Sequence, residues 1–199
     1  RVSRGLGDVY KRQGMGGAVL LAAESALRCG AGLVSAATRV EHVPALLGRC
    51  PEVMAHGVAS ANQLLALAER ASVLVLGPGL GQRAWGRSLL SAVRSRPLPQ
   101  VWDADALNLL ALEPVGAGPQ TWILTPHPGE AARLLGRSTA EVQADRPAAA
   151  LELARRYQAV VVLKLSLIHI SEPTRHSLNS YAVFCLKKKK KTTVTITTA

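Results

Sequence analysis

The 199-residue chain carries 24 Lys and Arg against 13 Asp and Glu, a net charge of +11 that taken alone raises nucleic acid or an anionic membrane surface as partners. Its three cysteines, Cys29, Cys50 and Cys185, are too few and too widely spaced for a zinc site or a disulfide framework, and they fit a reducing cytosol. The longest apolar stretch, Ala18 to Ala37, is broken by Glu24, Arg28 and Gly30, which excludes a comfortable membrane span, and no signal peptide is readable.

Helix and strand alternate along the chain. Apolar residues at helical spacing from Gly17 to Cys29 predict a helix that stops at Gly30. Leu33 to Ala37 reads as a strand, followed by a short helix from about Val43 and a strand over Val53-Met54-Ala55. Ser60 is placed to cap a helix running to about Arg70. Val73 to Leu76 is a buried strand, left by the turn Gly77-Pro78-Gly79-Leu80-Gly81. A helix from about Ala84 to Arg94 leads through Pro97 and Pro99 to the strand Val101-Trp102, then to a helix over Ala104 to Leu112. Trp122 to Leu124 is the next strand, with a helix from Glu130 to Leu135 after it. Asp145 and Pro147 open a helix ending near Tyr157, and the β-branched run Ala159 to Leu163 predicts a last strand. Near-continuously apolar strands separated by helices of about ten residues argue an α/β fold: a three-layer parallel sheet with helices on both faces.

In such a sheet the loops after the strand C-termini share one edge, and ligands bind there. Four such loops carry chemistry. Gly77 to Gly81 can bring backbone N–H groups close to an anion or a ring, or can simply close a strand-to-helix connection. Asp103 and Asp105 are candidate functional carboxylates or plain helix caps. In Thr125-Pro126-His127-Pro128-Gly129-Glu130 both prolines stiffen the backbone, so His127 is displayed from an extended segment. Thr125 is able to cap the following helix, and Glu130 complements its dipole; a capped turn with a solvated histidine is the alternative. Lys164 follows the last strand and, on its own, reads as a solvated charge.

The two ends differ in kind from the middle. Asp8 to Gln13 and Leu165 to Arg175 resemble translated sequencing-adaptor DNA, and Ser180 to Leu186 followed by Lys187 to Lys191 resembles read-through of a second adaptor into a run of A. Residues 1–13 and 165–199 are therefore expected to be non-native tails flanking a domain over 14–164. Removing the tails leaves 14 bases and 11 acids, a net of +3, so the argument for nucleic acid or membrane falls away. The remaining 151 residues suffice for one core.

Five stretches then point to one family. Gly14 to Ala23, Ala26 to Val34, Gly77 to Gly81, Asp103 to Leu107 and Thr125 to Glu130, in this order and at about these distances, resemble the ADP-dependent NAD(P)H-hydrate dehydratases. The resemblance covers nearly all of Gly14 to Lys164 and implies a ribokinase-like fold, here expected to be incomplete at both ends. The implied activity is dehydration of the S-epimer of hydrated NADH or NADPH, driven by ADP or ATP with Mg2+ accompanying the nucleotide. The implied setting is cytoplasmic. In bacteria the domain is often fused to an epimerase domain, and a homo-oligomer is compatible with it.

Carried over residue by residue, Ala18, Gly81 and His127 correspond to family positions that touch the hydrated nicotinamide nucleotide. Lys164 corresponds to the lysine opening a Lys-Gly-x-Gly-Thr loop that binds the adenine nucleotide, although Leu165 stands where its glycine belongs. Arg28 and the two aspartates fall within family motifs without an assigned contact, and no protein metal site is implied. The sequence lacks the family's late Gly-Thr-Gly-Asp segment, which should hold the transferring phosphate and supply a catalytic aspartate. The first strand, with its Gly-Ser turn, is likewise expected before Gly14. Weak binding without turnover is therefore expected, as is marginal stability with exposed apolar edges. Competing readings are a ribokinase-like kinase of a vitamin precursor, which should lack the His-Pro-Gly-Glu turn, and a non-enzymatic basic binding module supported only by the tail charge.

Overall fold

The computed structural model describes residues 16–113, 121–164 and 193–197. Leu165 and the terminal stretches set aside above lie outside the described residues, apart from 193–197.

Among the described residues, seven strands form one sheet. In chain order they are β1 (Leu33–Thr38), β2 (Met54–Gly57), β3 (Val73–Leu76), β4 (Gln100–Trp102), β5 (Trp122–Leu124), β6 (Val160–Val161) and β7 (Thr193–Thr197). Their spatial order is β2-β1-β7-β3-β4-β5-β6, and every neighbouring pair is parallel. All strand C-termini therefore open on one edge, as the alternating pattern predicted.

The helices are α1 (Gly16–Arg28), α2 (Val43–Arg49), α3 (Ala61–Ala68), α4 (Ala84–Val93), α5 (Asp105–Leu112), α6 (Pro128–Leu135), α7 (Thr139–Ala144) and α8 (Arg146–Tyr157). Local chemistry sets several of their ends. Gln63 Oε1 accepts the N–H groups of Ala59 at 2.7 Å and Ser60 at 3.3 Å, closing the start of α3. Asp145 Oδ1 accepts the Ala148 N–H at 2.9 Å, and Pro147 needs no donor in that first turn. Helix α7 is absent from the sequence expectation, yet its signal is there. Ser138 Oγ accepts the Glu141 N–H at 3.2 Å, and the Glu141 carboxylate accepts from Ser138 N at 2.8 Å.

Helices cover both faces of the sheet, and the core divides into two clusters. The larger packs Leu74, Leu76, Leu89, Leu107, Leu124 and Leu153 around β3, β4 and β5. The smaller packs Val19, Ala23, Val34, Ala36, Leu46 and Val53 between α1, β1 and α2. Each fully buried leucine contributes about 1.5–3 kcal/mol relative to exposure. Between β4 and α4 sits a buried polar network. Gln100 Nε2 donates to the carbonyls of Val93, Arg94 and Arg96 at 3.1–3.2 Å, and its Oε1 accepts the Trp102 indole N–H at 3.0 Å.

Two strands differ from expectation by more than one residue at an end. β2 runs from Met54 to Gly57, pairing Ser35 with Met54 through Thr38 with Gly57, rather than over 53–55. Val53 instead turns into the smaller core cluster. β6 shrinks to Val160–Val161 because only Ile123 and Leu124 of β5 lie alongside it. The other departure is β7, which lies within a stretch set aside as non-native. Its backbone pairs with β1 from Leu33 to Ala37 and with β3 from Val73 to Leu76. Thr-Val-Thr-Ile-Thr is β-branched throughout, a composition that favours extended backbone. The sheet edges are thus β2 and β6.

Candidate functional site

The loops leaving β3, β4, β5 and β6 meet on the C-terminal rim, and each holds the next in place. Gly77 follows β3 with φ +116°, and a Cβ there would lie 1.8 Å from the Asp103 carbonyl oxygen. Only glycine lets the first two loops approach so closely. Leu80 N–H returns to Gly77 O at 3.0 Å, and Gly81 adopts φ +71°. Gly86, near the start of α4, abuts this turn from behind: a Cβ on it would come within 2.4 Å of Gly81 O.

Between β4 and α5 the two aspartates face different ways. Neither caps the helix, contrary to the bland expectation; the N-terminal position is Ala104, which makes no side-chain cap bond. Asp105 instead accepts the Gly81 N–H at 2.9 Å and the Gln82 Nε2 at 3.0 Å. Asp103 Oδ1 accepts the Thr125 hydroxyl at 3.0 Å and is ion-paired with Lys164 Nζ. Lys164 is therefore tethered rather than merely solvated. Its N–H donates to Pro126 O at 2.8 Å, and its carbonyl accepts Arg146 Nη2 at 2.7 Å.

His127 stands at the head of α6 with extended backbone, φ −79° and ψ 166°, as the flanking prolines predicted. It is also the helix cap. Nδ1 accepts the N–H groups of Gly129 at 3.0 Å and Glu130 at 3.3 Å, a role the sequence reading had allowed to Thr125. Thr125 is drawn away because its hydroxyl donates across to β4, to Trp102 O and Asp103. The Glu130 carboxylate accepts the His127 N–H at 2.9 Å, and its Oε1 lies 3.3 Å from Nε2. Burial pushes the Glu130 carboxyl above its ordinary range, against the opposing pull of the His127 backbone N–H and the nearby Lys164 charge. The imidazole itself is half exposed while the carboxylate is nearly covered.

Ala18 lies in the first turns of α1, half-buried. The head of that helix abuts the loop leaving β1, since a Cβ on Gly16 would meet the His42 ring at 3.1 Å. Arg28, at the far end of α1, is exposed and paired with Glu24 at 2.5 Å. The described residues thus gather Gly81, Asp103, Asp105, His127 and Lys164 on one rim. Ala18 lies apart from these bonds, on α1. Gln82 and Arg146 were not singled out from sequence, because their partners lie 23 and 18 residues away and no local pattern marks them. Among the described residues no group of three or more His, Cys, Asp or Glu could hold a metal ion. None of the described helices is long and apolar enough to cross a membrane.

The sequence profile of the NAD(P)H-hydrate dehydratase family matches residues 12–180. A bifunctional NAD(P)H-hydrate repair enzyme from Coxiella burnetii is 57% identical over 151 residues, covering 76% of this chain and 30% of the relative. The ADP-dependent (S)-NAD(P)H-hydrate dehydratase of Neisseria meningitidis is 39% identical over 158 residues, covering 76% of this chain and 52% of the relative. Among solved structures, the Bacillus subtilis ADP/ATP-dependent NAD(P)H-hydrate dehydratase, co-crystallised with ATP/Mg2+ and soaked with CoA, superposes with a TM-score of 0.64 at 31% identity. That match covers 76% of this chain and 55% of the solved one. The chain spans about a third to a half of the length of these proteins.

Proposed function

The chain belongs to the NAD(P)H-hydrate dehydratase family, and we propose that residues 14–164 carry the ligand-binding rim of an ADP-dependent dehydratase. That enzyme returns the S-epimer of hydrated NADH or NADPH to NADH or NADPH. One observation carries the reading: four loops far apart in sequence are bonded to one another on a single rim of a parallel, ribokinase-like sheet. The relatives' names favour it over a vitamin-precursor kinase or a basic binding module.

In this reading Ala18, Gly81 and His127 contact the hydrated nicotinamide nucleotide. Gly81 has no side chain to keep the ligand off the backbone. Nδ1 of His127 is committed to the helix N–H groups, so the proton resides on Nε2, at the half-exposed edge of the ring. That edge can donate to a ligand oxygen.

The donor set also fits an adenine nucleotide. Lys164 presents an ammonium on the rim, held by Asp103 but still partly exposed, as a phosphate partner requires. When bound, ADP or ATP supplies the phosphoryl group that makes the hydrate hydroxyl a leaving group, with Mg2+ accompanying the nucleotide. The B. subtilis relative was crystallised with that pair. This chain's residues bind and orient; the sequence has no Gly-Thr-Gly-Asp segment to stabilise transfer. Binding without turnover is therefore expected. The proposed setting is cytoplasmic, with an epimerase domain as partner, as the bifunctional C. burnetii relative suggests.

Calorimetry of the full chain with hydrated NADH tests this, alongside absorbance of regenerated NADH in the presence of ADP. Saturable hydrate binding lost in His127→Ala is the expected result. An unaffected His127→Ala would overturn the substrate assignment, and turnover by the chain would show that the Gly-Thr-Gly-Asp segment is dispensable.

A further inference from the structure

We propose that Asp103-Ala104-Asp105 is the positioning motif of the rim: Asp103 aims the Lys164 ammonium at the nucleotide, while Asp105 sets the Gly81 backbone for the hydrate. The proposal rests on the roles given above to Lys164 and Gly81 and adds the residues that act through them.

Several observations converge on these three residues. An aspartate at the start of a helix ordinarily spends its carboxylate on that helix's own N–H groups. Here both carboxylates reach away from it. Asp105, only 8% exposed, bonds Gly81 and Gln82, residues 24 and 23 positions earlier. Asp103 bonds Thr125 and Lys164, 22 and 61 positions later. The residue between them is strained. Ala104 has φ +47° and ψ −117°, a conformation that L-residues with a Cβ avoid. That geometry turns the two carboxylates toward different loops, one on each flank.

The motif's own backbone is anchored. Asp103 N–H donates to Leu76 O at 3.0 Å, its carbonyl accepts the Ala106 N–H at 3.1 Å, and Gly77 lies against it without room for a methyl group. The anchored motif can therefore transmit position to both flanks. A lysine is a flexible point charge with four rotatable bonds, so an oriented ammonium needs a fixed partner. Asp103 is that partner, and Thr125 fixes the carboxylate in turn. Ordering Lys164 beforehand removes an entropy term that a phosphate would otherwise have to overcome.

The test is a double-mutant cycle on the full chain, reading ATP affinity with Mg2+ present by calorimetry. Asp103→Asn is expected to weaken binding on the order of tenfold, within the usual coupling range of contacting groups. In a Lys164→Met background the same change should have no further effect, and Asp103→Glu should recover part of the loss. Equal losses in both backgrounds, or no loss in either, overturn the proposal while leaving Lys164 as a nucleotide contact. A silent Lys164→Met, or wild-type chain that does not bind ATP, overturns the nucleotide reading and this proposal with it. Thr125→Val provides a second variant should Asp103→Asn not fold; it is expected to weaken binding in the same Lys164-dependent way, and a Lys164-independent effect counts against the idea. For the other flank, Asp105→Ala should accelerate amide hydrogen exchange at Gly81 by at least about tenfold in the ligand-free chain. Unchanged exchange there removes Asp105 from the motif.

Discussion

Glu130 grips His127 from two sides: one carboxylate oxygen accepts the His127 N–H at 2.9 Å, and the other lies 3.3 Å from the ring Nε2. A nearly buried acid thus orients a half-exposed imidazole, and a local helix-capping arrangement doubles as the support of a binding residue. The arrangement has a titration signature. Burial is the leading cause that raises the Glu130 carboxyl in the folded chain, so the folded state holds that proton to higher pH than the unfolded one. Below the ordinary carboxylate value both states are protonated and the contribution is fully present. As pH rises from there through the folded value, the unfolded state alone has released its proton, and stability falls. Glu130→Gln should flatten that decline in urea midpoints measured across the window. Parallel curves for the two proteins would show that Glu130 is not the titrating group.

The two roles of His127 should separate. Asparagine is among the best capping side chains, so His127→Asn keeps the head of α6 satisfied, whereas His127→Ala should lose about 1 kcal/mol. Both should lose hydrate affinity. Urea denaturation beside calorimetry distinguishes these effects; an asparagine variant as unstable as the alanine one would mean that the ring's packing, not its capping bond, supports the helix.

Gln100 is the buried tie between β4 and the end of α4. Gln100→Leu has similar volume but leaves the Trp102 indole N–H without its acceptor and takes a donor from Arg94 O, while Val93 O and Arg96 O keep the N–H groups of Arg96 and Leu98. A loss of about 2–3 kcal/mol is expected, read from chemical denaturation. A loss below about 0.5 kcal/mol, the scale of an ordinary surface substitution, would mean that water satisfies those groups.

Strand β7 is paired on both sides, to β1 and β3. Ile196→Pro removes a ladder N–H from the interior of the sheet and should destabilise the chain by about 3 kcal/mol or more. Circular dichroism through a thermal ramp would read it. An unchanged midpoint would indicate that 193–197 contributes nothing to the folded sheet, as the reading of a non-native tail holds.

What the residues determined by themselves was local and periodic. Apolar spacing marked α1, β1 and β3, and Asp145 with Pro147 marked the start of α8, because such signals act within a turn or two of the backbone. The same holds for the parallel order, since strands joined by helices have few other ways to pack. The family motifs placed Ala18, Gly81 and His127 as candidates without reference to any contact, and the lysine of a broken Lys-Gly-x-Gly-Thr loop added Lys164. Tertiary structure decided the partnerships. Whether Thr125 or His127 caps α6 depends on a competing acceptor on β4, and whether Lys164 is solvated or held depends on a carboxylate 61 residues away. Hydrogen bonds and ion pairs fall off within a few ångströms, so they are settled by which loops the sheet brings side by side, a property that no spacing along the chain contains.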